Sequence, residues 1–128
     1  ARLSGQTTKE IQADRVQATL ALCSGCEREQ PIVTVLKGAG TVIADNQGNW
    51  AINTSGNQGM ATGGMGDVLA GLIGSLLTQG MGAWDAACAG VYLHGLAADL
   101  IACEKEYGYT ASEVAAGLPA AIQKCRNV

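Results

Sequence analysis

The chain has 128 residues, the size of one ordinary domain, which leaves no room for a second hydrophobic core. Hydrophobic residues make up 48% of the sequence and charged residues 15%, so the chain carries enough apolar surface to fold, and general disorder is excluded. The net charge is −3 and the 8 Lys and Arg residues are scattered, which argues against nucleic-acid binding, because that function needs clustered positive charge.

The first predicted element is a helix from residue 7 to about residue 23. The Thr7 hydroxyl can cap its first turn, and the Glu10 carboxylate can reach back to the free amides, as in a capping box. The next predicted element is a strand over residues 31–37, a short, β-branched and continuously apolar run. Such a run is typical of a strand buried on both faces of a parallel sheet, so we expect it to be the central strand.

A hairpin is predicted directly after this strand. Residues 41–44 and 50–53 have the composition of two short strands, and the polar segment between them contains Gly48. The glycine-rich stretch 54–66 that follows has few side chains able to pack, and inside a compact domain such a stretch is more typical of a binding loop than of a linker.

Three helices are predicted for the rest of the chain. The first begins at about Asp67 and repeats apolar pairs about every four residues, which is a helical stripe. Gly71 and Gly74 interrupt this stripe, and we expect both to face close neighbours. The other two helices are predicted over residues 83–105 and 111–124, the last with a capping box formed by Thr110 and Glu113.

The junction between the glycine-rich stretch and the helix at Asp67 is the strongest sign of chemistry. Free amides at a helix N-terminus attract anions, and glycine lets a phosphate approach the backbone, which makes Gly63, Gly64 and Gly66 candidate phosphate-binding residues. No Lys followed by Ser or Thr comes after the glycines, so the segment is not a P-loop, and its spacing does not fit a dinucleotide fingerprint.

Asp67 has two interpretations at this point. A carboxylate in the first helical turn stabilises the helix dipole by about 0.3 to 1 kcal/mol, which is a purely structural role. The same carboxylate beside an anion site could take a proton from a hydroxyl while the amides stabilise a transferring phosphoryl group. This arrangement suits phosphoryl transfer, and it also suits elimination of a phosphate or of water activated in this way.

Three ordered segments together resemble one family. They are Lys37-Gly-Ala-Gly-Thr41, the stretch 54–71 containing Gly-Met-Ala-Thr-Gly-Gly-Met-Gly-Asp, and the stretch 90–99 beginning Gly-Val-Tyr-Leu-His. They resemble the ADP-dependent NAD(P)H-hydrate dehydratases, which are carbon-oxygen lyases of the ribokinase-like superfamily. The resemblance spans nearly the whole chain and implies an α/β fold: a partial ribokinase-like domain with a few strands, a hairpin and at least four helices.

The resemblance also implies a function. The family uses ADP, or ATP in eukaryotic relatives, to dehydrate hydrated NADH or NADPH by phosphorylating the hydrate hydroxyl and then eliminating phosphate. Asp67 would be the catalytic residue and would contact the hydrated substrate, and Gly66 would donate an amide to the phosphates. The adenine nucleotide would contact Lys37, Gly38, Ala39, Gly40 and Thr41. From the residues alone, these five positions predict only a loop at the carboxyl end of a strand, which is where ligands bind in α/β sheets. Mg²⁺ is expected with the phosphates, although no carboxylate cluster identifies a metal site.

The family's catalytic domain is about twice as long as this chain. Residues 1–128 are expected to be its C-terminal part, with the earlier strands and a His-Pro-Gly-Glu segment belonging to the preceding half. That half helps to hold the hydrated nicotinamide, so the activity of this part alone is in question. A sheet divided in this way exposes an edge and an apolar face, and we expect a homo-oligomer or a completing partner chain to cover them.

Several minor features are predicted to be structural. Most of the five cysteines are expected to be small buried residues, and the Cys23-Ser-Gly-Cys26 motif lacks the second pair that a structural zinc site needs. His94 and Asp99 are interpreted as packing and structural residues, and Asn57 could bond to either a ligand or the backbone. No stretch reaches the roughly 20 apolar residues of a membrane span, and no signal peptide is evident, so we expect a cytoplasmic protein with no membrane contact.

Two alternatives to the dehydratase remain open. The first is a non-catalytic adenine-nucleotide-binding module, or an interaction domain, derived from the enzyme. The second is a small-molecule kinase of the same superfamily, which would share the glycine loop and the aspartate but less readily the segments 37–41 and 91–94.

Overall fold

The computed structural model describes residues 2–24 and 32–126, and the chain folds as two compact units, Ala1–Asn53 and Thr54–Val128. The α/β class and the partial-domain architecture predicted from the sequence are confirmed, with five α-helices and a three-stranded sheet in the described residues. Cys26 of the Cys-x-x-Cys motif lies outside those residues.

Two helices open the first unit where one was predicted: α1, Thr8–Ala13, and α2, Arg15–Ser24. The capping box is confirmed, because the Glu10 carboxylate accepts a hydrogen bond from the Thr7 amide at 2.7 Å and the Thr7 hydroxyl accepts one from the Glu10 amide at 3.3 Å. The single long helix is wrong. The backbone leaves helical geometry at Asp14 (φ −146°, ψ 88°), whose carboxylate then accepts from the Gln17 amide at 2.9 Å in the first turn of α2.

The sheet of the first unit contains β1, Val33–Leu36, β2, Val42–Asp45, and β3, Trp50–Ile52, in the order β1-β2-β3. Both pairs are antiparallel, with Val35 opposite Ile43 and Ile43 opposite Ala51, which confirms the β2–β3 hairpin. The prediction that β1 is a parallel central strand is wrong: β1 is half-buried, and the fully buried β2 is the middle of the three described strands. The few residues between β1 and β2 are too short for the crossover that a parallel pair needs.

Helix α2 packs on this sheet and contributes a buried cysteine to it. The Cys23 side chain is fully buried, and its sulfur donates to the Thr34 hydroxyl at 3.1 Å and the Ala44 carbonyl at 3.3 Å. Burial is therefore confirmed for Cys23. It is wrong for Cys103 and Cys125, which are exposed in the second unit.

The second unit consists of a 3₁₀ turn, Gln58–Met60, and three helices: α3, Met65–Thr78, α4, Ala83–Ala102, and α5, Ala111–Arg126. Helix α4 packs against both α3 and α5. The buried core is formed mainly by small and aliphatic side chains from these helices and by one tyrosine: Met65, Ala97, Ala98, Tyr109, Val114 and Ala121.

Glycine and a second capping box shape this helical packing. A Cβ on Gly90 of α4 would lie 2.6 Å from Cγ1 of Ile73, so α3 and α4 are in close contact there. The opposite holds for Gly71 and Gly74, for which close neighbours were predicted: a Cβ on either would meet no heavy atom of the described structure within 4 Å. At the start of α5 the predicted Thr110–Glu113 capping box is confirmed, with the Thr110 amide donating to the Glu113 carboxylate at 2.7 Å.

Candidate functional site

The glycine-rich segment ends at the N-terminus of α3, which begins at Met65, two residues earlier than predicted. Gly64 is the N-cap, with a positive φ of 84° that favours glycine, and no side chain caps the helix. Gly63 beside it is exposed, and a Cβ there would meet nothing within 4 Å. Met65, the first helical residue, is only 7% exposed, so it anchors this helix end in the core.

The amides at this end of α3 form a potential anion site. The amides of Asp67 and Val68 both donate to the Gly64 carbonyl, each at 3.1 Å. The amides of Met65 and Gly66 precede the first helical hydrogen bonds, and the partial positive charge of the helix dipole adds to them. Because the cap is a glycine, no side-chain oxygen occupies the position that an anion would take.

Asp67 lies in the first turn of α3, beside these amides. Its side chain is exposed, and none of the ion pairs among residues 2–24 and 32–126 involves it. The carboxylate is therefore not committed to a salt bridge within the described structure. It is available to accept a proton next to a bound anion, and it also interacts favourably with the helix dipole.

The start of the glycine-rich segment lies directly on α4. The Ser55 hydroxyl donates to the Tyr92 carbonyl at 2.8 Å, and the Gly56 amide donates to the Asp99 carboxylate at 2.8 Å. A Cβ on Gly95 would lie 2.2 Å from the Ser55 hydroxyl oxygen, so glycine is required for this approach. These contacts fix the segment some residues before it reaches α3.

Asn57 and Tyr109 extend these contacts. Nδ2 of Asn57 donates to Asp99 at 2.9 Å, while its Oδ1 accepts from the Gly59 amide at 3.0 Å and from the Tyr109 hydroxyl. Of the two roles considered for Asn57, the structure thus shows the contact with protein groups. Burial raises the pKa of Tyr109, the hydrogen bond to Asn57 lowers it, and the nearby charge of Asp99 raises it. The net shift is upward, so the hydroxyl stays protonated and donates.

Tyr109 was missed by the sequence reasoning, and Asp99 was placed there only as a structural residue. No local pattern identifies either contact, because their partners lie far away along the chain. The predicted packing role of His94 agrees with its position, since its side chain is only 6% exposed within α4.

The predicted residues Lys37, Gly38, Ala39, Gly40 and Thr41 form the connection between β1 and β2 of the first unit, with residues 37–40 exposed and Thr41 buried. Gly38 and Gly40 have φ values of 144° and 61°, which other residues rarely adopt. The Thr41 hydroxyl donates to the Gly38 carbonyl at 3.0 Å and accepts from the Gly38 amide at 3.3 Å, so it closes the loop. The loop lies at the carboxyl end of β1, as predicted, and the next strand pairs with β1 in the antiparallel direction.

Arg15 of α2 donates hydrogen bonds to the start of this loop, a role that the sequence reasoning missed. Its Nη2 donates to the carbonyls of Leu36 and Lys37 at 3.1 and 3.2 Å. A Cβ on Gly38 would lie 3.0 Å from each terminal nitrogen of Arg15 and 3.4 Å from Cζ, so the edge of the guanidinium that carries these nitrogens faces Gly38. Arg15 therefore connects α2 to the last residue of β1 and to the first residue of the loop.

The structure thus gathers the predicted residues into two places, one in each unit. Gly63, Gly64, Gly66 and Asp67 share the N-terminus of α3, and residues 37–41 share one loop of the first unit. The described ranges contain no group of three or more side chains able to hold a metal ion. None of their helices has the length and hydropathy of a transmembrane span.

The chain is similar to known proteins over most of its length. A family model described as NAD(P)H-hydrate dehydratase matches residues 1–120. The ADP-dependent (S)-NAD(P)H-hydrate dehydratase of Neisseria meningitidis is 43% identical over 99% of this chain and 41% of its own length. The bifunctional NAD(P)H-hydrate repair enzyme Nnr of Escherichia coli is 49% identical over 80% of this chain and 19% of its own length.

Solved structures show the same fold. The ADP/ATP-dependent NAD(P)H-hydrate dehydratase from Bacillus subtilis, co-crystallised with ATP/Mg²⁺ and soaked with CoA, matches 96% of this chain with a TM-score of 0.88 and 32% identity. This chain covers 44% of that chain. The sequence therefore spans less than half the length of these relatives.

Proposed function

The chain belongs to the NAD(P)H-hydrate dehydratase family, and we propose that it acts in the ADP- or ATP-dependent dehydration of hydrated NADH or NADPH. One observation carries the proposal. The N-terminus of α3 is capped only by the exposed Gly64, and its first turn presents an exposed acid, Asp67, that no described ion pair engages. This combination suits a phosphate group and a hydroxyl that must lose its proton.

The chemistry assigned to these residues follows from their positions. The nucleotide supplies a phosphoryl group, which converts hydroxide, a poor leaving group, into phosphate. The amides of Met65 and Gly66 bind the phosphoryl oxygens and stabilise their negative charge during transfer. Asp67 accepts the proton of the substrate hydroxyl as that oxygen bonds to phosphorus, and the bond from phosphorus to the nucleotide's bridging oxygen breaks, which releases AMP from ADP or ADP from ATP. Phosphate then leaves with the C–O electron pair, and the neighbouring ring carbon loses a proton, so the double bond is restored.

We assign the loop Lys37, Gly38, Ala39, Gly40 and Thr41 to the adenine nucleotide as well. The support is its family resemblance, the exposure of residues 37–40, and the hydrogen bonds of the Thr41 hydroxyl and of Arg15 that fix its shape. Gly63, Gly64 and Gly66 are assigned to the phosphates because they precede or begin α3, whose N-cap Gly64 has no side-chain cap, and a Cβ on Gly63 would meet nothing within 4 Å.

Mg²⁺ fits this site only with help from the ligand. Among the described residues Asp67 is not part of any group of three metal-binding side chains, so the chain provides no cage of its own. Mg²⁺ characteristically binds through one or two carboxylates together with substrate phosphates. We therefore expect any Mg²⁺ to be held chiefly by phosphate oxygens, and no chemical step is assigned to it.

An assembly state is also part of the proposal. Trp50 and Ile52 on β3 are 53% and 50% exposed, an unusual exposure for large apolar side chains on a strand. We expect self-association or a completing chain to cover such surface, and a stable monomer in sedimentation would contradict this. The cytoplasmic location stays a prediction.

The test combines ADP binding with turnover. The purified chain is titrated with ADP by calorimetry and then mixed with ADP and hydrated NADH, while the absorbance of reduced nicotinamide is followed. The proposal predicts ADP binding and recovery of that absorbance. Asp67→Asn should lower turnover at least about a hundredfold while ADP binding persists, because the amides remain and only the base is lost.

Other outcomes separate the alternatives. ADP binding without turnover favours the binding module. A stable phosphorylated alcohol as the product favours a small-molecule kinase. Turnover that survives Asp67→Asn contradicts the role assigned to this residue, and absence of ADP binding contradicts the whole proposal.

A further inference from the structure

Asp99, near the C-terminal end of α4, bonds to the glycine-rich segment through both carboxylate oxygens. Oδ2 accepts from the Gly56 amide at 2.8 Å and Oδ1 accepts from Nδ2 of Asn57 at 2.9 Å. The side chain is half-buried, and no described ion pair includes it. Its charge is therefore stabilised by two amide donors of the segment, and hydrogen bonds to charged acceptors are stronger than neutral ones.

Asn57 relays this contact to the core. Its Oδ1 accepts from the Gly59 amide and from the hydroxyl of Tyr109, a side chain only 2% exposed. Tyr109 belongs to the same buried cluster as Met65, the first residue of α3. A continuous set of contacts thus connects Asp99 with the core that anchors the proposed phosphate site.

Residues 55–59 pack closely against α4 and Tyr109, which restricts where their backbone can lie. Gly95 lies one turn before Asp99 on the same face of α4, and a Cβ there would lie 2.6 Å from the Ser55 carbonyl carbon and 2.8 Å from the Gly56 amide nitrogen. A Cβ on Gly59 would lie 2.6 Å from the Tyr109 ring. Backbone this close to its support cannot shift without losing the Asp99 bonds.

We propose that Asp99 is a positioning residue for the nucleotide site: through Asn57 it fixes residues 55–60, and so sets the amides at the start of α3 for the phosphates. The inference rests on the proposed function for its ligand, ADP. It assigns Asp99 no contact with nucleotide or substrate.

Single substitutions that keep shape but change donors test this role. In Asp99→Asn one of the two acceptor oxygens becomes an amide donor, which meets either the amide group of Asn57 or the Gly56 amide, so one hydrogen bond is lost in both orientations. In Asn57→Asp the two carboxylates face each other. Each single variant should weaken ADP binding and raise its KM about tenfold, the size expected for one lost hydrogen bond to a charged group, with a smaller change in kcat.

The double variant Asn57→Asp/Asp99→Asn provides the rescue. The amide at position 99 donates to the carboxylate at position 57 and still accepts from the Gly56 amide. The carboxylate at position 57 still accepts from the Gly59 amide and the Tyr109 hydroxyl. Every hydrogen bond is kept with the central donor and acceptor exchanged, so the ADP affinity should return to within about threefold of the original in this double-mutant cycle.

The matched control is Asp85→Asn, the same change at an exposed position of the same helix. It should leave the ADP affinity unchanged. Tyr109→Phe serves as a milder second variant, because it removes one hydroxyl and keeps the ring, and it should weaken ADP binding less than either single substitution. It also keeps the test decisive if a single substitution prevents folding.

Hydrogen exchange of the Gly56 and Gly59 amides supplies a readout that needs no activity. The proposal predicts faster exchange in both single variants and recovery in the double variant. If the original chain binds ADP without turnover, the dehydratase proposal fails while affinity and exchange still test the positioning role. Single variants that lose only stability, with unchanged ADP affinity per folded molecule, overturn the inference, as does a double variant no better than the singles.

Discussion

Gly95→Ala should be strongly destabilising, because the structure gives the added methyl group no room. It would lie 2.2 Å from the Ser55 hydroxyl oxygen, 2.6 Å from the Ser55 carbonyl carbon and 2.8 Å from the Gly56 nitrogen. Two of these atoms are backbone, so no rotamer change relieves the contact, and residues 55 and 56 must move by about 1 Å.

The expected cost follows from two opposing effects. Overpacking of this kind costs about 1 to 3 kcal/mol or more. Replacing glycine by alanine inside a helix returns about 1 kcal/mol. The displaced segment also loses the bond from the Gly56 amide to Asp99, about 1.5 to 3 kcal/mol for a charged acceptor. We expect a net loss of about 1.5 to 5 kcal/mol in the free energy of unfolding.

Gly71→Ala is the matched control, since Gly71 is exposed on α3 and a Cβ there would meet no described atom within 4 Å. Urea denaturation followed by circular dichroism measures both variants. Gly71→Ala should gain up to about 1 kcal/mol from helix propensity alone. If Gly95→Ala unfolds at the same urea concentration as Gly71→Ala, the close approach of the segment to α4 is refuted.

Three further predictions concern stability, each measured by denaturation. Gly64→Ala should cost about 1 to 2 kcal/mol because of the positive φ, whereas Gly63→Ala should be nearly neutral, and equal effects would contradict the cap geometry. Arg15→Met should lower the free energy of unfolding by about 1 to 3 kcal/mol, because the carbonyls of Leu36 and Lys37 lose their donor. An unchanged stability would contradict the role given to these two hydrogen bonds. Hydrogen bonds from the Thr110 backbone and side chain lower the pKa of Glu113, so the stability that Glu113 contributes is present at neutral pH and lost as the pH falls through its folded-state pKa. The Tm difference between the original chain and Glu113→Gln should therefore disappear in acid. A Tm difference that persists in acid would contradict this role.

Local chemistry was predictable from the sequence where donor and acceptor lie within one turn. Both capping boxes rest on a hydroxyl and a glutamate three residues apart, and both form. The helix after the glycines was predicted from its apolar period, and the hairpin from two short strands around a turn with Gly48. These signals need no knowledge of the rest of the fold.

Strand direction and helix breaks were not predictable in this way. The continuous apolar run in β1 indicates burial, but it does not determine whether the neighbouring strand is parallel or antiparallel. The break at Asp14 follows from its backbone angles and from the bond to Gln17, which compete with continuing the helix.

The candidate site was predictable only in part. Its glycines and Asp67 were identified because a helix N-terminus is a local feature. The support of the site was not, because Asn57 and Asp99 are 42 positions apart and Arg15 lies 21 positions from Leu36. Such pairs become visible only when the chain has folded.

A crystal structure of the chain with ADP tests the central claim most directly. The account predicts phosphate oxygens within hydrogen-bonding distance of the Met65 and Gly66 amides, with the Asp67 carboxylate facing the terminal phosphate. Well-ordered ADP bound away from the start of α3, or Asp67 turned from the phosphates into an ion pair, would contradict it.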